Sequence, residues 1–562
     1  MKFQVLVQDR NLSLLPWRNI LKLLIFTLLV VGIPVSGHTA KVTDFIPNDS
    51  IVYLKLQDID EVYKEIQISE EWENILDQIM DESEMQEIEQ VLLAAQAIIG
   101  TDLFGVIDTV GYQTGFALWK NEADTVQGGI VVHSGGNLAE LKRLTKMLTG
   151  FIGFSGGTLK LDVGEHEKVK YSIVQLPDLL ISYGFVGDFL VAGIGENSFK
   201  KLIDTYRKKN PAIRKNVSYS KVTKRFGEGQ LSLSINVSEA LPLLEDIDAE
   251  ERVQLETFTN VYAKLNLLEA APFLQFYAAF DSSLPENKIA LFLKEGKDLQ
   301  TLKGLSGEED LFIAVAPRIL ETTWLLIRDQ INNNATDDLY AFILFLEGML
   351  NLNLEEDVMA GLTGEIALSV DDLTQFEPSA LENLNIDFFE TFQIDAASVH
   401  THGGLIFNSA NSQKWNQIGN SLSNLQNASI SQTNYKGTKV SIFASNIYYT
   451  EKNGLSLLSF SEDQMYSIID RLESKKKPSY LKQLPKKPLA VVKLNIAKLL
   501  ESINGAVPIE DGIVKPKELP PLLAWITVKK NEAVLEATLS NKESPLEVLA
   551  KFAPIIAFHL KN

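Results

Sequence analysis

The chain has 562 residues, of which 45% are hydrophobic and 22% charged, with a net charge of −21 and no cysteine. At roughly 100–200 residues per domain this supports two to four globular domains and excludes a disordered or polytopic membrane chain. The lack of cysteine removes disulfides, thiolate metal sites, a cysteine nucleophile and a lipoprotein anchor together.

The N-terminal stretch stands apart in charge. Lys2, Arg10, Arg18 and Lys22 against Asp9 give +3, so everything after residue 37 carries −24. An acidic body of this kind repels phosphate backbones and anionic headgroups unless its few positive charges are clustered, and no nucleic-acid partner is expected. The basic residues precede the apolar stretch Leu23–Ile33, a helix-breaking Pro34 and the small residues Ser36 and Gly37. This pattern is that of a secretory signal peptide over 1–37. The alternative is an uncleaved N-terminal anchor, and both readings export the rest of the chain to the periplasm or the exterior.

The remaining chain reads as a tandem duplication with a period near 260 residues, copy one over 41–299 and copy two over 300–562. Val52–Leu56 and Leu311–Val315 open the copies as strands. Thr114-Gly115-Phe116-Ala117-Leu118 answers to Thr363-Gly364-Glu365-Ile366-Ala367-Leu368, and Gly128–Val132 to Gly403–Phe407. A helix follows in copy one, with Leu138, Leu141, Leu144 and Leu148 on one face. Lys170–Ile173 pairs with Lys439–Ile442. The next helices bury Phe199, Leu202, Ile203 and Tyr206 in copy one and Met465, Ile468, Ile469 and Leu472 in copy two, at a constant offset of 266. Copy two adds a capping box, Ser461 to Gln464.

Leu233, Ile235 and Asn236 answer to Val492, Leu494 and Asn495, and the alternation of Leu231, Leu233 and Ile235 with Ser232 and Ser234 predicts a half-buried strand. Each copy closes on a hairpin, Phe273–Phe280 with Ile289–Leu293, then Leu522–Val528 with Val534–Leu539. Short turns such as Lys452-Asn453-Gly454 force antiparallel pairing. The expected fold is α+β, each copy with largely antiparallel sheets and packed helices. Gly304–Asp310 is the expected joint between copies.

Four constellations could carry chemistry. Gly153-Phe154-Ser155-Gly156-Gly157 matches the nucleophile-elbow pattern, but a helix precedes it and a strand follows, the reverse of what a nucleophilic serine needs. Gly193-Ile194-Gly195 lies between strand and helix as a dinucleotide site requires, yet Ser198 replaces the third glycine. His400 and His402 share a strand face, with His133 in the matching region of copy one, but no third zinc ligand accompanies them. His166, between Glu165 and Glu167, reads as a solvated turn. The acidic pairs Glu70-Glu71, Asp81-Glu82, Glu245-Asp246 and Glu250-Glu251 read as wet helix faces. No catalytic, cofactor-binding or metal residue is assigned, and no cofactor is expected.

Three segments together are familiar: the opening Ile46–Leu54, the run from Leu354 into Leu368, and Tyr480-Leu481 leading to Leu494. In these the chain resembles the exported bacterial family known only as domain of unknown function 3352, with a departure at Gly105–Asp108, where an acidic pair is lost. The resemblance implies an exported protein and brings no catalytic residues. The expected function is a non-catalytic envelope protein that binds another protein, a glycan or a lipid. The alternative is a secreted hydrolase.

Overall fold

The computed structural model describes residues 40–68, 103–154, 158–177, 179–244, 249–269, 272–281, 296–316, 364–373, 403–408, 412–425, 429–443, 446–474, 478–504, 519–539 and 544–549, with a few isolated positions besides. The stretch 1–37, where the sequence pattern suggests a signal peptide, lies outside them. Contacts divide the chain into two compact units after Ile235.

The first unit is an antiparallel sheet with helices. Its elements are β1 (Val52–Gln57), α1 (Ile59–Ile68), α2 (Leu103–Val110), β2 (Gln113–Lys120), β3 (Val126–His133), α3 (Leu138–Phe154), β4 (Thr158–His166), β5 (Val169–Leu176), β6 (Leu179–Val186), β7 (Phe189–Ile194), α4 (Ser198–Tyr206), α5 (Val217–Phe226) and β8 (Leu231–Asn236). The strands run in the order β8–β1–β2–β3–β7–β6–β5–β4. Four consecutive strands, β4 to β7, form a meander because two-residue turns such as Glu167-Lys168, both at positive φ, permit only antiparallel neighbours.

α4 packs on β7 and β3, with Phe199, Leu202 and Ile203 fully buried. Its approach requires bare backbone beneath it. A Cβ on Gly193 would lie 2.1 Å from the amide nitrogen of Phe199, and one on Gly129 would lie 2.7 Å from Leu202. This explains Gly193 by packing, while Gly195 sits at φ 98°, a backbone conformation that favours glycine.

One amphipathic expectation is corrected in this unit. Along α3, Leu141 and Leu144 are buried but Leu148 is 42% exposed. The buried stripe continues through Thr145 and Thr149, whose hydroxyls donate to the carbonyls of Leu141 and Thr145 and so cost little to bury. On β8 the most buried residue is Ser232, while the leucines and Ile235 are half-buried. Ser232 faces Lys55 across the β1 ladder and accepts from the Gly229 amide, so the polar positions sit on an interior polar seam.

β4, an edge strand among the described residues, is broken by a bulge. Between the pairs Lys160–Ile173 and Gly164–Tyr171, three residues of β4 oppose one of β5. Asp162 sits at φ 45° within the bulge, and its amide is turned to the Ser172 hydroxyl.

The second unit contains α6 (Val237–Ala240), α7 (Ala249–Leu255), β9 (Phe258–Leu265), β10 (Leu274–Phe280), β11 (Leu311–Val315), β12 (Ile366–Val370), β13 (Gly403–Phe407), α8 (Ser412–Leu425), β14 (Ser431–Tyr435), β15 (Thr438–Phe443), β16 (Ile447–Lys452), β17 (Leu455–Ser459), α9 (Glu462–Glu473), β18 (Ala490–Leu494), α10 (Ile496–Asn504), β19 (Leu522–Lys529) and β20 (Glu532–Leu539). Its strand order is β9–β10–β20–β19–β18–β11–β12–β13–β17–β16–β15–β14, antiparallel throughout.

Both edges of β10 are occupied, by β9 and β20, which corrects the expected pairing with Ile289–Leu293; of that segment, 289–292 lie outside the described residues. Gly304–Asp310 is built into the core of this unit: Leu305 is fully buried, Glu309 is 3% exposed and accepts from the Ser306 and Gly307 amides. It is a packed corner. The capping box is half-formed. Ser461 accepts from the Gln464 amide, but the buried Gln464 side chain turns inward to Ser459 and Ser369.

The α4 contact yields a direct test. Gly193→Ala drives a methyl into helix backbone that cannot rotate away, and should cost about 1–3 kcal/mol by urea denaturation. Gly150→Ala, within α3 with open space around it and ordinary helical backbone, should cost nothing.

Candidate functional site

Concave polar surface gathers on the first unit around α4 and the segment after it. The segment 45–50 runs alongside 211–216 and fixes it. The Asn48 amide donates to Pro211 O at 3.0 Å, the Ile213 amide to Ile46 O at 2.7 Å, and Asn216 Nδ2 to Asn48 O at 2.9 Å. Asn216 also caps α5 by accepting from the Tyr219 amide. Phe45 stacks on Tyr206 with ring centroids 4.2 Å apart. These contacts hold open two concavities that share Asn210.

The larger, about 850 Å³, is lined by residues including Asp49, Lys120, Gln127, His166, Lys201 and Asp204. The smaller, about 670 Å³, is lined by Ala40, Asp44, Tyr206, Arg207, Lys208, Ala212, Arg214 and Lys215 among others.

In the larger groove the β4–β5 turn docks on α4. His166 Nε2 lies 2.8 Å from Asp204 Oδ1, and Lys209 bonds Glu167 while standing 3.6 Å from Asp204. The Lys209 hydrogen bond holds the Glu167 carboxyl below its ordinary value, and Glu167 in turn raises Lys209. Ligand atoms of His166, Glu167 and Asp204 lie within 4.8 Å of one another, close enough to hold a metal ion. The Lys209 ammonium already supplies positive charge to both carboxylates there. His166 is therefore part of a docked turn, where the sequence suggested a solvated one.

The second unit contains a contact of the same design. Its β14–β15 turn meets α9 through Tyr435 Oη donating to Asp470 at 3.0 Å and Lys436 Nζ donating at 2.7 Å.

Comparison with family models, curated proteins and solved structures found no match to this chain. The site is therefore read from its own chemistry.

Of the sequence candidates, Ser155, Gly156, Gly157, His400 and His402 lie outside the described residues, as do Glu70-Glu71, Asp81-Glu82 and Glu245-Asp246. α3 ends at Phe154 and β4 begins at Thr158, so the order around Ser155 is helix then strand. His133 is 1% exposed, clamped edge-on between Tyr112 and Phe189, with Nδ1 accepting from the Gly135 amide. It is a core residue.

Sequence reasoning passed over the basic segment that lines both concavities. Residues 200–225 hold ten lysines and arginines against Asp204 alone, a charge of +9 in a chain of −21. A running charge count would have found it.

Strand β1 of the same unit buries a charge. Lys55 is fully buried, 2.5 Å from Glu228 Oε2 and 2.5 Å from Gln57 Oε1, and Tyr219 Oη donates to the other Glu228 oxygen. Burial lowers the Lys55 pKa against the pull of Glu228. Burial pushes the Glu228 carboxyl up, but the Lys55 charge and the hydrogen bonds from Lys55 and Tyr219 outweigh it and hold the carboxyl below its ordinary value.

Lys55→Met strands Glu228 and should cost about 3–5 kcal/mol, while Lys55→Met with Glu228→Gln should recover more than half of that in urea denaturation. Because the folded Glu228 pKa is depressed, its stabilisation is present above the ordinary value of 4.5 and is lost as pH falls through the folded value. Glu228→Gln should flatten that acid limb of the stability profile. At the turn, His166→Tyr should keep native stability, whereas His166→Ala should lose about 1 kcal/mol.

Proposed function

We propose that this protein is an exported, non-catalytic envelope protein that works by binding and is built from two copies of one α+β domain. The observation that carries the non-catalytic reading is the recurrence of the turn-to-helix contact. His166 on Asp204 and Tyr435 on Asp470 occupy the same place in their units. An imidazole and a phenol serve equally, so the contact needs a hydrogen-bonding ring of the right reach and no proton-transfer chemistry. Among the described residues the groove lining brings no serine or threonine nucleophile to His166.

The ladders support duplication. The eight strands of the first unit and β18, β11, β12, β13, β17, β16, β15 and β14 of the second follow one order. Ala192 faces Ile130 and Tyr183; Leu458 faces Leu405 and Tyr449. Both matches fall at 266, since 458 − 192 = 449 − 183, the offset of Phe199 and Met465. By register Leu368 answers to Phe116, two residues from the Leu118 of the sequence match. A shift of two keeps the same sheet face.

Export rests on the basic and apolar N-terminal pattern and on the resemblance carried by Ile46–Leu54, Leu354–Leu368 and Tyr480–Leu494. The partner classes that remain are an envelope protein, a glycan or a lipid.

A panel of esterase, phosphatase, glycosidase and peptidase substrates, with and without divalent metal, should give no turnover. Turnover abolished by Ser155→Ala, or by His400→Ala with His402→Ala, would make the protein a hydrolase. N-terminal sequencing of envelope material should begin at or near His38, and full-length protein confined to the cytoplasm would overturn export.

A further inference from the structure

The geometry points to the cleft lined by Arg207, Lys208, Arg214 and Lys215 as a docking surface for phosphate-bearing anionic lipid headgroups at a membrane surface. The inference deepens the binding reading above and takes the lipid among its partner classes.

Charge is the first argument. Four cations line the cleft, and its acidic wall residue Asp44 is consumed by Arg214 at 2.7 Å. Lys208 and Lys215 are exposed and have no acidic partner among the described residues. Arg207 reaches only the Glu167 backbone carbonyl, at 3.4 Å, and lies over the Tyr206 ring. The cleft thus offers cations that the fold does not use. The neighbouring groove differs, since its Lys120 is taken by Asp124 at 3.0 Å and its Lys201 by Asp49 at 2.8 Å, while Lys200 donates to Asn197 and shares the groove with Glu122, Glu196 and Asp204.

Contrast with the rest of the chain is the second argument. With +9 in residues 200–225, the rest of the first unit after residue 37 carries −17. A unit with its charge divided in this way is repelled by an anionic surface in most orientations. Within a Debye length, about 10 Å, only the basic face is attracted. A soluble polyanion can approach from any side, whereas a planar surface selects this face.

Chain continuity is the third argument. Ala40 forms part of the cleft wall. It is pinned there because Val42 is fully buried, with Cγ1 only 2.3 Å from where a Cβ on Gly115 would sit. The apolar stretch ending at Ile33 therefore joins the folded unit at this cleft. Seven residues span at most roughly 25 Å, so while residues 1–37 are still attached, before cleavage or as an uncleaved anchor, an inserted stretch holds this face to the headgroups, and after cleavage near His38 charge alone selects it.

The test uses the full chain with vesicles of phosphatidylcholine alone or mixed with phosphatidylglycerol, read by co-sedimentation at low and high salt. Insertion of the apolar stretch contributes equally to both vesicle types and cancels in their ratio. Each cation near an anionic leaflet strengthens adsorption about fivefold, so Arg207→Gln/Lys208→Gln/Lys215→Gln should bind mixed vesicles about a hundredfold more weakly and neutral vesicles unchanged. The control Lys142→Gln/Lys146→Gln/Lys160→Gln, outside residues 200–225 and lining neither concavity, should lose much less. Equal loss in both variants, or no preference of the native chain for mixed vesicles, overturns the proposal. So does binding of inorganic phosphate, pyrophosphate or single-stranded DNA that the cleft variant abolishes while mixed vesicles are not preferred. Vesicle binding is scored without reference to turnover, so its failure leaves the non-catalytic reading standing, and turnover in the substrate panel would leave vesicle binding standing.

Discussion

The contact on which the first unit depends is the bare backbone under α4. Gly193 and Gly129 let the helix lie directly on β7 and β3, closer than any side chain would allow. That approach buries Phe199, Leu202 and Ile203 completely. It also sets where the opposite side of the helix can be. Asp204 stands over the β4–β5 turn and holds His166, Tyr206 stacks on Phe45, and the basic residues that follow are delivered to the surface. A helix raised by a single methyl would disturb the turn, the ring stack and the clefts together. In the second unit α9 stands a little further off its sheet: a Cβ on Gly404 would lie 2.9 Å from the Leu458 carbonyl but 3.4 Å from Ile468 of the helix.

Electrostatics in the first unit divides into charges the fold uses and charges it leaves free. Lys55, Lys201, Lys209 and Arg214 each hold a named acid. Lys208 and Lys215 do not, among the described residues. Exposed ion pairs contribute little to stability, so the pairings matter less for their energy than for what they exclude: they neutralise the groove and leave the neighbouring cleft positive. The position of a few acids, Asp44, Asp49, Glu167 and Asp204, thereby decides where net charge appears.

Much of the architecture could be read from the residues. The helix spacing of Met465, Ile468, Ile469 and Leu472 and the turn Lys452-Asn453-Gly454 name their elements because periodicity and turn chemistry are local. Where local rules failed, a tertiary partner had intervened. Leu148 is exposed because threonines satisfied by the helix backbone continue the buried stripe. Gln464 leaves its capping role for a buried amide network. Ser232 is buried because Lys55 lies across the ladder, an arrangement that requires Glu228, distant in sequence. The basic cleft was legible in composition alone, but only as a local excess of charge. Its concavity depends on the clamp between 45–50 and 211–216, which no sequence pattern announces.

The bulge in β4 has a consequence for how this molecule shares a crowded compartment with copies of itself. A regular edge strand presents an even row of amides and carbonyls that another chain can zip onto. β4 carries Leu161, 64% exposed, on such an edge, which would make it a natural seed for fibre growth. The three-against-one mismatch interrupts the row, and Asp162 adds a charge at the interruption while spending its amide on Ser172. A second strand arriving here would lose register after three residues, too short a run to hold. The sheet thus carries its own stop codon for polymerisation, written in backbone geometry.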